Sequence, residues 1–112
     1  VTTYQNDIFI EICNHYGVSI ADVLGRSKKS EIALARHTIA YVFKYGFNMR
    51  YKQIARILDR HHSTIIHSVL TISETERIYR KSVYNYAVSL SEMIQSPLPS
   101  YWAIPSLKND KR

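Results

Sequence analysis

The sequence of 112 residues predicts an all-α fold: a compact helical bundle containing a helix-turn-helix, with an extra C-terminal helix and a Pro-containing tail. Three observations carry that prediction. Apolar residues recur at three- and four-residue steps from Tyr4 to Ile94, the period of a helix with one buried face. Residues suited to ending helices, Gly17, Gly25, Gly46, Asn48 and Asp59, fall between the periodic runs. No stretch alternates apolar and polar residues as a half-buried strand does. The chain reads as one domain over 1–95 and an extended tail over 96–112. A chain of this length buries roughly 60–65% of its unfolded surface, so its 46% apolar content suffices for one modest core.

Taken in order, Tyr4, Ile8, Ile12 and Tyr16, with Phe9 alongside, form the first helix, and Gly17 follows as its cap. Ser19 with Asp22 three residues later makes a capping pair that opens a short helix carrying Ile20, Val23 and Leu24. The basic stretch from Arg26 to Ser30 reads as an exposed loop. Ile32, Ala35, Ile39, Val42 and Phe43 mark a helix from about Glu31 to Tyr45, with Arg36 and Lys44 on its other face. Tyr51, Ile54, Ala55 and Leu58 give two turns ending at Asp59-Arg60, and His62 to about Ser73 gives another helix with Ile65, Ile66, Val69 and Ile72. A closing helix runs from Glu74 to about Gln95 through Ile78, Val83, Ala87, Leu90 and Ile94, decorated by Tyr79, Tyr84 and Tyr86. Pro97, Pro99 and Pro105 keep the tail from continuing it.

Charge is concentrated. The net +6 arises between Gly25 and His62, where nine basic residues face only Glu31 and Asp59. A polyanion is the natural partner for that segment, with a merely solvated basic face as the competing explanation. Other classes find little support. Three glycines leave no room for a phosphate-cradling Gly-rich loop, and no paired carboxylates or nucleophile–base set stands out, so the chain is expected not to be an enzyme. Cys13, the single cysteine, cannot form an internal disulfide, which fits a reducing compartment; the chain is expected in the cytoplasm. The first residues lack a secretory pattern, and no run reaches the about 18 apolar residues a membrane span needs, so no membrane association is expected. No cofactor is implied. His61, His62 and His67 share no single helical face and lack a completing ligand, so no metal site is expected.

The informative segment runs from Gln53 to Ser68. A helix-turn-helix needs a small residue where its helices approach, apolar residues that lock them, a tight turn, and polar side chains opening the second helix. Ala55 is the small contact; Ile54, Leu58, Ile65 and Val69 are the lock; Asp59 tolerates a left-handed turn conformation; His62, Ser63 and Thr64 open the second helix. Free amides and the positive helix dipole there favour phosphate, and short hydroxyl side chains reach base edges or phosphate oxygens. Ser63 has an alternative reading as a simple helix cap.

The run Ile54-Ala-Arg-Ile-Leu-Asp-Arg-His-His-Ser-Thr-Ile resembles the motif of the C-terminal DNA-binding domain of the bacterial chromosomal replication initiator DnaA, a Trp-repressor-like helix-turn-helix. The upstream Gly17-Val-Ser-Ile-Ala-Asp-Val-Leu, the basic loop and the helix from Ile32 match that family in order and spacing, so the resemblance covers roughly Phe9 to Ile72. It implies that His62, Ser63 and Thr64 enter the major groove of double-stranded DNA. It further implies that Lys28, flanked by Arg26 and Lys29, reaches a neighbouring minor groove, that Arg60 matches the motif's arginine, and that Arg50, Tyr51 and Lys52 touch the backbone.

Departures from the pattern alter the expected readout. The motif's aspartate, an acceptor for a cytosine amino group, is His61 here; the minor-groove arginine is Lys28; Leu34 and Ala35 replace further arginines of the family. His67 lies on the second helix within reach of a phosphate. No ATPase segment precedes the match in these residues, so the resemblance is to the DNA-reading module alone. The expected function is sequence-specific binding of double-stranded DNA in control of replication initiation or transcription. The alternative is a protein-interaction or adaptor domain that keeps the fold, using the Tyr-rich last helix and the tail with Tyr101 and Trp102 as its contact surface. The oligomeric state stays open.

Overall fold

Local chemistry sets where each helix starts and stops in the computed structural model, which describes residues 1–96. Expectations about the tail from Pro97 onward lie outside the described residues. Helix α1 (Thr3–Tyr16) opens at a reciprocal cap: the Thr2 hydroxyl accepts from the Gln5 amide, and the Gln5 side chain accepts from the Thr2 amide. It closes on Gly17 at φ 69°, ψ 33°, a conformation that favours glycine. The Ser19–Asp22 pair predicted from sequence opens α2 (Ile20–Leu24) with both of its hydrogen bonds made. α3 (Ser30–Tyr45) follows the basic loop, and Asn48 at φ 56° turns the chain toward α4 (Tyr51–Leu58). Asp59, in the left-handed conformation at φ 54°, ψ 52°, makes the tight turn into α5 (His62–Leu70).

α3 is the central rod, packed against α1, α2, α4, α5 and the last helix. The fully enclosed side chains include Ile8, Ile12, Val23, Ile39, Val42, Phe43, Ile54, Leu58, Ile65, Val69 and Ile72, so every apolar stripe feeds one core. Among the described residues there is no strand, and no helix is long and apolar enough to cross a membrane.

The C-terminal third corrects the sequence reading in two places. The break expected near Ser73 is absent: α5 runs on through a π-helical segment (Thr71–Glu76) and a final turn, α6 (Arg77–Tyr79), and the chain breaks at Arg80, at φ −137°, ψ 76°. The Thr71 hydroxyl donates to the His67 carbonyl at 2.9 Å and the Ser73 hydroxyl to the Leu70 carbonyl at 3.4 Å. The His67 carbonyl accepts from the Thr71 amide as well, so these hydroxyls add a second donor to carbonyls at the junction where the α-helical ladder gives way to the wider π turn. The wider turn directs Ile72 and Glu76 inward and leaves Ile78, expected in the core, 62% exposed. Glu76 reaches Arg80 at 3.1 Å, bracing the break.

α7 (Lys81–Gln95) then folds back along α3, burying Ala87, Leu90 and Ser91. The crossing closes tightly at Gly46, where an added Cβ would stand 2.6 Å from the Val42 carbonyl oxygen, 3.0 Å from Ile94 Cδ1 and 3.3 Å from Ser91 Cα. Gly46→Ala is therefore expected to destabilise the fold by about 1–3 kcal/mol through overpacking, measurable as a lower urea midpoint with an unchanged slope. Nearer the middle of α7, Tyr86 stacks on His15 at 3.6 Å between ring centroids, and beside it Tyr16 is hydrogen-bonded to Thr38 at 2.9 Å.

Candidate nucleic-acid interface

The helix-turn-helix is built as its sequence suggests. Ala55, 8% exposed, sits at the inner face, and Ile54, Leu58, Ile65 and Val69 lock α4 to α5 and both to α3. At the start of α4 the Gln53 side chain accepts from the Arg50 amide at 2.9 Å. Lys52 is exposed; Tyr51 is half-buried, with Lys44 Nζ 4.5 Å from its ring centroid, a cation–π contact that adds Lys44 to the cations at this end.

The cap of α5 is His61, not Ser63. Its Nδ1 accepts from the Ser63 amide at 3.2 Å and lies 2.8 Å from the Ser63 hydroxyl. An imidazole thus performs the acceptor role that Asp or Asn usually takes at this position. Because capping engages Nδ1, the ring presents its other edge outward, tilted against His62 at 4.4 Å between centroids. Ser63, Thr64 and His67 are exposed and His62 is half-buried.

Arginines join the basic loop to the turn of the helix-turn-helix. Arg26 donates to the Asp59 carbonyl at 3.2 Å and approaches the Asp59 carboxylate at 3.5 Å. Arg60 donates in the opposite direction, to the Gly25 carbonyl, and caps its own turn through the Leu58 and Asp59 carbonyls at 3.2 and 3.0 Å. The loop of Lys28 and Lys29, both exposed, consequently lies beside the turn that launches α5. Arg50, Tyr51 and Lys52 stand at the far end of α4, about 12 Å away along an eight-residue helix.

Arg36 is where the sequence reading fails. Expected on the outer face of α3, it is 9% exposed and reaches under the loop. Its Nε donates to the Val23 carbonyl at 3.0 Å, and its Nη2 lies within 3.3–3.5 Å of the Asp22, Gly25 and Ser27 carbonyls. They belong to the α2 C-terminus and the segment just after it, where a cation is electrostatically favoured; the Asp22 carbonyl also accepts from the Gly25 amide and the Gly25 carbonyl from Arg60. Burial, then the nearby Arg60 and Arg26, shift its pKa below the ordinary arginine value. The signal is present in the sequence: Arg36 lies four residues after Ile32 and three before Ile39, on the buried stripe. Cys13 is enclosed in the core, and burial followed by the Asp22 charge pushes its thiol up to about 11.

Comparison with known proteins agrees with this architecture. A family described as the bacterial dnaA protein helix-turn-helix matches residues 6–72. Among curated relatives, chromosomal replication initiator protein DnaA 2 of Chlamydia caviae is 35% identical over 63 residues, covering 56% of this chain and 14% of that protein. DnaA of Acholeplasma laidlawii is 30% identical over 89 residues, covering 78% of this chain and 19% of its own length. DnaA of Pseudothermotoga lettingae is 33% identical over 70 residues, or 62% and 16% of the two chains. The chain thus spans less than a fifth of the length of these relatives. No solved structure matches. With the match extending over more than half of its length and across the whole helix-turn-helix, the chain belongs to the family of the bacterial DnaA helix-turn-helix domain.

Proposed function

We propose that this domain binds double-stranded DNA sequence-specifically, in control of replication initiation or transcription. α5 lies in the major groove and the Arg26–Lys29 loop in the adjacent minor groove. The observation that supports this reading most directly is the mutual pinning of loop and turn, Arg26 to Asp59 and Arg60 to Gly25, on a member of the DnaA helix-turn-helix family. Ser63, Thr64 and the outer edges of His61 and His62 supply discrimination; Lys28 and Lys29 enter the minor groove; Arg50, Tyr51, Lys52 and His67 meet phosphates. His61 in place of the family's aspartate removes a charged acceptor, so the preferred base at its position differs from the family's.

Selection of bound duplexes from a random pool tests the reading directly, and recovery of a consensus is the expected outcome. If five to seven phosphates are neutralised, log K falls against log salt with a slope of roughly −5 to −6. Lys52→Ala is expected to weaken all duplexes alike, whereas Thr64→Ala costs about 1–3 kcal/mol on the selected site only. Both variants binding every duplex as the parent does would overturn the assignment.

A second reading, a protein-contact surface, rests on Leu70, Ile78 and Tyr79, which are 45%, 62% and 78% exposed around the end of α5 and α6. Sedimentation of the parent against Ile78→Asp separates the two, because a contact through this patch changes the mass while duplex affinity stays unaltered.

A further inference from the structure

A body that places one element in a major groove and its neighbour in the adjacent minor groove must sit astride the phosphate ridge between them. The surface between the loop and the start of α5 is a cleft of about 520 Å³, lined by Arg26, Ala55, Arg56, Asp59, Arg60 and His61. Its charge is unbalanced. Asp59 is the single acid among the described residues of that lining, and Arg26 already pairs with it. Arg60 is held by three carbonyls, and Arg36 lies beneath the same Gly25 carbonyl. Burial first, then the Arg26 charge, shift the Arg60 pKa below the ordinary arginine value even though Asp59 acts in the opposite sense, so cations outweigh the one nearby acid.

Arg56 is different in kind from these. It is exposed, its side chain makes no hydrogen bond or ion pair among the described residues, and it stands four residues before Arg60 at the mouth of the cleft. Nothing among the described residues uses its guanidinium, whose planar set of donors suits a phosphate. It is also outside the residues that the sequence reading selected.

We propose that this cleft seats one phosphate of the duplex backbone, with Arg56 closing on it and the pinned Arg26 and Arg60 forming its cationic floor. The inference rests on the duplex-binding reading above and adds the contact that fixes the domain's height between the two grooves. A phosphate contact carries no sequence information, so its loss acts on every duplex equally.

Arg56→Gln and Arg56→Lys in the whole chain test it, against a 20-base-pair random-sequence duplex and against the selected site, each titrated at several salt concentrations. Arg56→Gln is expected to weaken both duplexes by the same factor, roughly five- to tenfold at low salt, and to flatten the salt slope by about one. Arg56→Lys is expected to restore the slope. Circular dichroism and thermal unfolding that match the parent show that the exposed substitution leaves the fold intact. Should the parent bind duplex while Arg56→Gln shows the same affinity and slope, the seat is wrong and the duplex reading stands. Should the parent bind no duplex, the reading beneath it fails first. Inorganic phosphate supplies the remaining arm: amide shifts confined to 55–61, with an unaltered duplex slope in Arg56→Gln, would make the cleft a site for a free anion and overturn the proposal.

Discussion

Arg36→Met is expected to lower the free energy of unfolding by about 2–4 kcal/mol, because hydrogen bonds from a charged donor are each worth roughly 1.5–3 kcal/mol and methionine leaves the Val23 and Ser27 carbonyls without the donor that serves them. The side chain volume is largely kept, so the loss reports hydrogen bonding more than packing. Of the four carbonyls that Arg36 approaches, those of Asp22 and Val23 end α2, and those of Gly25 and Ser27 belong to the segment that leads into the loop. Local loosening should therefore exceed the global effect at residues 25–29. Native-state hydrogen exchange checks this: amides of that segment lose protection in Arg36→Met while those of α5 lose only what the global destabilisation requires. Duplex affinity should fall as well, through the loop. Uniform loss of protection across all helices, with no excess at the loop, would contradict the role assigned to Arg36.

Acid is expected to destabilise this domain through His37. That imidazole is half-buried, its Nδ1 is enclosed without a hydrogen-bond partner among the described residues, and the His67 ring lies edge-on at 6.4 Å. Burial first, then the positive charges of His67, Arg36 and Arg80, push its pKa down from 6.5 to about 4. The unfolded chain, at the ordinary value, takes up a proton below pH 6.5, while the folded chain resists until about pH 4. The stability from keeping His37 neutral is thus fully present above about pH 6.5, falls through the window between the two values, and levels off below the lower one. At 1.36 kcal/mol per unit the full loss is up to about 3 kcal/mol. Urea unfolding from pH 7.5 to 4 checks it, with His37→Gln expected to show a much flatter dependence. Equal slopes for the parent and the variant would remove His37 as the cause.

How much of this was legible beforehand follows from the range of the interactions. The caps at Ser19, Gly17 and Asp59, the helical stripes of α1, α3 and α4, and the lock of the helix-turn-helix are all statements about residues three to four apart, and each is visible in one dimension. The register of the C-terminal third was not. Its π-helical turn shifts the register of everything after Thr71, so Ile78 faces solvent although its spacing places it inside. The cap at His61 is hidden for another reason: histidine is not a usual N-cap, and Ser63 beside it offers itself as the alternative.

The sequence by itself determined the all-α class, the position of the helix-turn-helix, the concentration of positive charge between Gly25 and His62, and the family motif. Those properties are written in periodicity, residue type and order along the chain. Tertiary structure decided what the arginines do. Arg26 meets a residue 33 positions away and Arg60 one 35 positions away, while Arg36 turns inward to the carbonyls of a different helix. Helical spacing gives the face on which a side chain stands. Whether a guanidinium there faces water, a carbonyl or a neighbouring cation depends on which distant backbone the fold brings against it, and that is settled only when the helices pack.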